Sequence, residues 1–157
     1  MKSDTQALHL AKIMQDHIKG PSYEFALPLV MVSHKKLKKL SVDNVLLTGF
    51  DKMDCILIKE DEVCADLQLK KAQNLYNTQI VHLHRSPIKK PDSKKYETLK
   101  FLFGRVYSKV LEPGQTIDIT HIDLESVSLI LNGQTIAEGS LVNVDDEIAI
   151  KIKRVLR

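Results

Sequence analysis

The stretch Val127-Ser-Leu-Ile-Leu-Asn-Gly-Gln-Thr-Ile-Ala-Glu-Gly-Ser-Leu-Val-Asn-Val-Asp-Asp-Glu-Ile-Ala-Ile-Lys-Ile152 decides the fold. Val127, Leu129 and Leu131 sit two apart, as do Ile148, Ile150 and Ile152, which is the period of a strand that buries one face. Asn132-Gly133 stands between two apolar runs. Both residues tolerate positive φ, so they fit the two-residue turn whose twist matches that of paired antiparallel strands.

The same habit extends outward. Leu99 to Phe103, Thr116 to Ile119, Thr135 to Ala137 and Leu141 to Val144 are short apolar runs parted by polar turns. Nearer the start, so are Phe25 to Val32, Val45 to Leu47, Cys55 to Ile58, Val63 to Leu69 and Gln79 to Leu83. A helix needs longer periodic stretches than these. Residues 7–18 differ, because Ala7, Leu10, Ala11, Met14 and Ile18 recur at spacings of three and four and form one helical face. Gly20-Pro21 ends it: glycine takes a left-handed cap and proline cannot continue a helix. The basic segment Arg85-Ser-Pro-Ile-Lys-Lys-Pro-Asp-Ser-Lys-Lys95, with its two prolines, is expected to be a solvated linker. The expected fold is mainly β (α+β overall). It comprises an amphipathic helix within 1–24, a small β domain over 25–84, the linker over 85–97 and a second β domain over 98–157.

The halves also echo one another. A shift of 71 residues sets Leu40 on Leu111, Asn44 on Gln115 and Leu46 on Ile117. A shift of 73 then sets Ile56 on Leu129, Ile58 on Leu131, Val63 on Ile136 and Cys64 on Ala137.

Composition bounds the function. With 157 residues, 43% hydrophobic and 27% charged, the chain has a globular profile, not a disordered or collagen-like one. A net charge of +3 implies no nucleic acid unless it is locally concentrated. The longest apolar stretch, Phe25 to Val32, falls well short of the ~20 residues that span a bilayer. The polar start Met-Lys-Ser-Asp-Thr-Gln does not read as a secretory signal, and Cys55 and Cys64 give no disulfide framework, so a cytoplasmic setting is expected.

From Val127 to Ile152 the order of features resembles the surface-presentation-of-antigens (SPOA) domain of FliM/FliN flagellar switch proteins and their SctQ-like secretion relatives. An alternating strand ends in Leu131-Asn132-Gly133, a short strand holds Ile136-Ala137, Gly139 follows, and an apolar run precedes Asp145-Asp146. Upstream, Phe103-Gly104-Arg105 and Leu111-Glu112-Pro113-Gly114-Gln115 are similar to the family's Leu-Gly-Arg opening and its Leu-x-x-Gly turn. The interval between Gly104 and Gly114 is shorter than the family's, and Lys59-Glu60-Asp61 stands where the first half would carry an Asn-Gly turn. The resemblance implies two SPOA-like copies, the first degenerate, intertwined into one β unit. It also implies a non-enzymatic assembly protein without cofactor or metal. Such a protein would work in a flagellar motor switch (the C-ring of bacterial motility and chemotaxis) or in a type III secretion cytoplasmic ring. Its expected partners are ring subunits and an export-apparatus (FliH/SctL-like) peptide, in a homo- or hetero-oligomer that meets the inner membrane through partners only, with no nucleic acid. The family's peptide-receiving patch falls on Leu141, Val142, Asn143 and Val144, with Asn143 polar where the family is usually aliphatic. The subunit or domain interface falls on Val127, Leu129, Leu131, Ile136, Ile148, Ile150 and Ile152.

Other residues carry weaker chemical signals. His82 and His84 share one strand face but lack evident third and fourth metal ligands. Cys55 and Cys64 are too widely spaced for a structural zinc pair, and Cys64 aligns with a core alanine. Asp145-Asp146-Glu147 fits a solvated turn better than a calcium loop. His34-Lys35-Lys36-Leu37-Lys38-Lys39 fits a short amphipathic turn with its lysines in water. An alternative function is a small β-barrel module that binds RNA or acidic surfaces through these lysines and those of Lys89 to Lys95. No nucleophile elbow, P-loop, dinucleotide fingerprint or His-Glu-x-x-His is present.

Overall fold

The computed structural model describes residues 20–72, 75–91 and 94–156. Strands β1 (Ser22–Ala26) and β2 (Val30–Ser33) lead into a short helix α1 (His34–Lys38). Then come β3 (Val45–Phe50), β4 (Asp54–Lys59), β5 (Glu62–Ala72) and β6 (Leu75–Pro87). The second half supplies β7 (Tyr96–Tyr107), β8 (Thr116–Ile117), β9 (Val127–Leu131), β10 (Gln134–Val144) and β11 (Glu147–Val155). The fold is mainly β. The helical face expected at residues 7–18 lies outside the described residues, and Ser22 to Glu24, included in the helical region, already belong to β1. Strand also reaches Pro87 and resumes at Tyr96, so both ends of the expected linker belong to strands.

The strands form a single antiparallel sheet in the order β3-β11-β10-β9-β7-β1-β4-β5-β6-β8, with β2 pairing β7 beside that path. The order is palindromic. Exchanging β1 with β7, β3 with β8, β4 with β9, β5 with β10 and β6 with β11 reverses it end for end, so an approximate twofold axis passes between β1 and β7. The correspondence extends to single hydrogen bonds. Asp43 N donates to Ile152 O and Ile152 N to Asn44 O, while Gly114 N donates to Ile80 O and Ile80 N to Gln115 O. The Asn44 carboxamide accepts from Ser41 N at 3.0 Å and that of Gln115 from Glu112 N at 2.9 Å. Asp43 and Gly114 both take a left-handed backbone, with φ of 72° and 83°.

Through β4 and β5 the register differs by one residue from the one expected. Leu57 opposes Ala65 and Lys59 opposes Glu62, as Leu129 opposes Ala137 and Leu131 opposes Gln134. The shift is therefore 72, which sets Leu57 on Leu129 and Ala65 on Ala137. Cys64 consequently falls not at the fully buried position of Ala137 but at the bulge that Ile136 occupies in the other half, and like Ile136 it is only partly buried against the core. The slip has a physical origin. β4 is buried on both faces: Cys55 and Leu57 point into the main core, while Ile56 and Ile58 join Ala26 and Val63 in a small cluster beneath Leu29 and Ile88. A strand buried on both sides loses its alternation, so its apolar pattern cannot set the register.

Turn geometry repeats as well. Glu60 and Asp61 have φ of 52° and 62°, Asn132 and Gly133 have 49° and 81°, and Asp145 and Asp146 have 51° and 65°. These three turns share the doubly left-handed geometry, yet among them only Asn132-Gly133 announces it in sequence. The main core gathers residues from both halves, with Phe25, Leu57, Leu99, Phe101, Leu129, Ile150 and Ile152 fully buried. Phe25 faces Leu57 as Phe101 faces Leu129.

Candidate protein-interaction surface

At the β3 end of the sheet three strands present two distinct faces. Leu141, Ile150 and Leu46 lie directly opposite one another on β10, β11 and β3. Leu46 and Ile150 are buried and Leu141 packs against the core, so this row faces inward. The neighbouring row is Val142, Ala149 and Leu47. It faces outward, and it ends on Leu47, which is 53% exposed, with Val45 47% exposed two residues before it. Ala149 is fully buried in the middle of that row.

The run expected to receive a partner is thus divided by its own pleat. Val142 and Val144 share the outer face, whereas Leu141 is committed to the core. Asn143 is exposed, and its carboxamide oxygen accepts a hydrogen bond from Asp146 N at 3.0 Å. The polar residue that departs from the family pattern therefore ties down the β10–β11 turn, and Asp145-Asp146 forms that turn. The outer face gains Val45 and Leu47, which sequence reasoning did not place there. Their alternation with Leu46 and Thr48 is legible, but nothing in the sequence says that β3 pairs with β11. Of the residues expected at an interface, Val127, Leu129, Ile148, Ile150 and Ile152 are buried, and Leu131 and Ile136 are partly buried against the same core. That core also holds Phe25, Leu46, Leu57 and Leu67 from the first half.

The twofold gives this surface an internal control. The positions equivalent to Val142 and Ala149 are Lys70 and Asn77, which face each other across β5 and β6 and are exposed. Leu47 corresponds to Asp118, whose carboxylate accepts hydrogen bonds from Thr120 N at 3.0 Å and Thr120 Oγ1 at 2.8 Å. Those two bonds hold the Asp118 carboxyl below its usual range. One end of the sheet is apolar outside and the other is polar.

The remaining candidate groups take structural positions. His84 contacts Asp66 Oδ1 through Nε2 at 3.0 Å and Ser86 Oγ through Nδ1 at 2.8 Å, and His82 stands exposed opposite Asp66. Among the described residues no three His, Cys, Asp or Glu side chains gather as a metal site. Cys55 is buried, and burial, with a smaller contribution from the neighbouring Asp54 charge, pushes its thiol up to about 12. In α1 the Ser33 hydroxyl accepts from Lys36 N at 3.3 Å and Leu37 is buried, leaving Lys35, Lys36 and Lys38 exposed. Among the described residues no helix is long and apolar enough to cross a membrane.

No curated protein matches the chain. Residues 107–156, from the end of β7 through β11, match the family model described as the SepQ protein C-terminal domain. SepQ is a type III secretion protein of the SctQ kind, so at this broad level the match agrees with the SPOA resemblance and with a structural secretion-system component.

Proposed function

We propose that this chain is a non-enzymatic subunit of a type III secretion cytoplasmic ring, built from two interleaved SPOA-like copies. It docks an apolar peptide of the export apparatus on the outer face formed by β3, β11 and β10. The observation that carries the reading is the difference between the two ends of the sheet. The Val142, Ala149 and Leu47 row is apolar where the twofold-related positions are Lys70, Asn77 and Asp118. Fold requirements alone do not call for that difference, because both ends complete the same sheet. An apolar row that runs from partly exposed Val142 to exposed Leu47 marks a contact site. The SepQ match favours the secretion machine over the flagellar one and supports ring subunits as neighbours at the cytoplasmic face of the membrane. In this reading the work is geometric: the buried strands hold the unit together and the outer row holds a partner.

Partner capture from the native cell, followed by mass spectrometry, tests this with Leu47→Asp, Val142→Asp and the control Lys70→Asp. The two outer-row variants should keep the wild-type melting temperature and lose export-apparatus partners, by about 2 kcal/mol or more of binding, because a carboxylate then sits where apolar contact is needed. Lys70→Asp should capture as wild type does. Full capture by Leu47→Asp and Val142→Asp with intact folding would refute the docking face.

A further inference from the structure

The two lysine-rich runs are about fifty residues apart in sequence, and the sheet brings them together. Residues 30–40 hold Lys35, Lys36, Lys38 and Lys39 and no acidic residue. Residues 88–98 hold Lys89, Lys90, Lys94 and Lys95 against Asp92 and Glu97. These segments therefore carry six net positive charges, while the whole chain carries +3, which leaves the remainder net negative by three. Strand β2 pairs with the start of β7, with Met31 opposite Thr98 and Ser33 opposite Tyr96. At one end of that ribbon His34 N donates to Lys95 O at 3.0 Å, which seats the first turn of α1 beside the second run. At the other, Thr98 Oγ1 donates to Lys89 O at 3.1 Å, which holds the loop against the ribbon's outer face.

That outer face is not purely basic. Val32 and Leu99 point into the core, so Met31 and Tyr96 point away from it, 58% and 47% exposed. Two large exposed side chains, one aliphatic and one aromatic, thus lie on the outer face of the ribbon that joins the two lysine-rich segments. We propose that this surface binds directly to an anionic lipid bilayer, the lysines meeting acidic headgroups while Met31 and Tyr96 enter the interfacial layer. The two features divide the work: charge attracts the chain to the surface, and an amphipathic aromatic ring with a flexible thioether fits the boundary between headgroup and acyl chain. A nucleic-acid surface fits less well, because bases stack on successive aromatic side chains and these two segments contain only Tyr96. The inference departs from the expectation that partners alone bring the chain to a membrane. It is independent of the peptide-docking face. Lys35, Lys36 and Lys39 also border a groove shared with Val45 and Leu47, so the decisive variants are placed on Lys89, Lys94 and Tyr96.

Co-sedimentation of the full chain with phosphatidylcholine vesicles, with and without phosphatidylglycerol, tests the proposal. The chain should partition onto the anionic vesicles and not the neutral ones, and rising salt should release it. Each lysine neutralised should lower the partition coefficient about five-fold, so Lys89→Gln with Lys94→Gln should lower it about 25-fold. Tyr96→Ser should weaken binding without altering the salt dependence, and Lys70→Gln, remote from the ribbon, should bind as wild type does. Thermal unfolding of each variant separates lost binding from lost folding. Absence of binding to the anionic vesicles, equal binding to neutral ones, or wild-type binding by the folded Lys89 and Lys94 double variant would overturn the proposal. Tighter binding to a uridine oligomer than to the anionic vesicles would also overturn it, in favour of nucleic acid.

Discussion

Thr48 Oγ1 donates a 2.6 Å hydrogen bond to the carbonyl oxygen of Ile148, a residue 100 positions later, inside a buried seam. The same hydroxyl oxygen accepts from Phe50 N at 3.2 Å, so one side chain satisfies groups on both strands where β3 closes onto β11. At the twofold-related seam Thr78 Oγ1 donates to Ile117 O at 2.9 Å, joining β6 to β8. A buried threonine hydroxyl therefore fastens each outermost strand. Both bonds run between the halves, so the halves depend on each other for satisfied polar groups as well as for apolar burial.

Thr48→Val retains the shape and removes the donor. It should cost about 1–3 kcal/mol, since the Phe50 amide loses its acceptor in a partly buried site. Thr48→Ser keeps the hydroxyl and should recover most of the loss. Urea unfolding of the three proteins measures this, and equal stability of wild type and Thr48→Val would show that the seam is held by packing alone.

The Glu60-Asp61 turn adopts the doubly left-handed geometry without a glycine, unlike Asn132-Gly133. Left-handed backbone costs a residue with a Cβ about 1–2 kcal/mol, and aspartate somewhat less. Asp61→Gly should therefore raise stability by about 0.5 kcal/mol after the added freedom of the unfolded chain is offset, whereas Gly133→Ala should lower it by about 1 kcal/mol. Melting temperatures of the two variants should move in opposite directions.

Cys55 is buried with its thiol raised from 9.0 to about 12, whereas Cys64 is only partly buried. A thiol-specific reagent at neutral pH should label the native protein once, at Cys64, and twice after denaturation. The raised value also makes stability depend on pH. Below pH 9 both folded and unfolded chains keep the proton and this thiol adds no slope; between about 9 and 12 the unfolded chain releases it first, so stability falls as pH rises. The slope in this window should reach about 1.4 kcal/mol per pH unit from this group, and it should shrink in Cys55→Ala, which has no thiol to titrate there.

The sequence by itself determined the local chemistry. It specified a mainly β chain, the strand positions near the end, the Asn132-Gly133 hairpin, and the repeat that pairs Leu40 with Leu111, Asn44 with Gln115 and Leu46 with Ile117, because alternation and turn residues act over a few positions. Only the tertiary structure decided what depends on neighbours distant in sequence. It set the β4 register, since burial on both faces erased the alternation there. It divided Leu141 from Val142, because the pairing of β10 with β11 and β3 makes one side of the pleat the core and the other the exterior. It also completed the outer row with Leu47, and it joined the lysines of α1 to those before β7. In each case the contact spans tens of residues, and strand propensity says that a strand will pair without saying with which one.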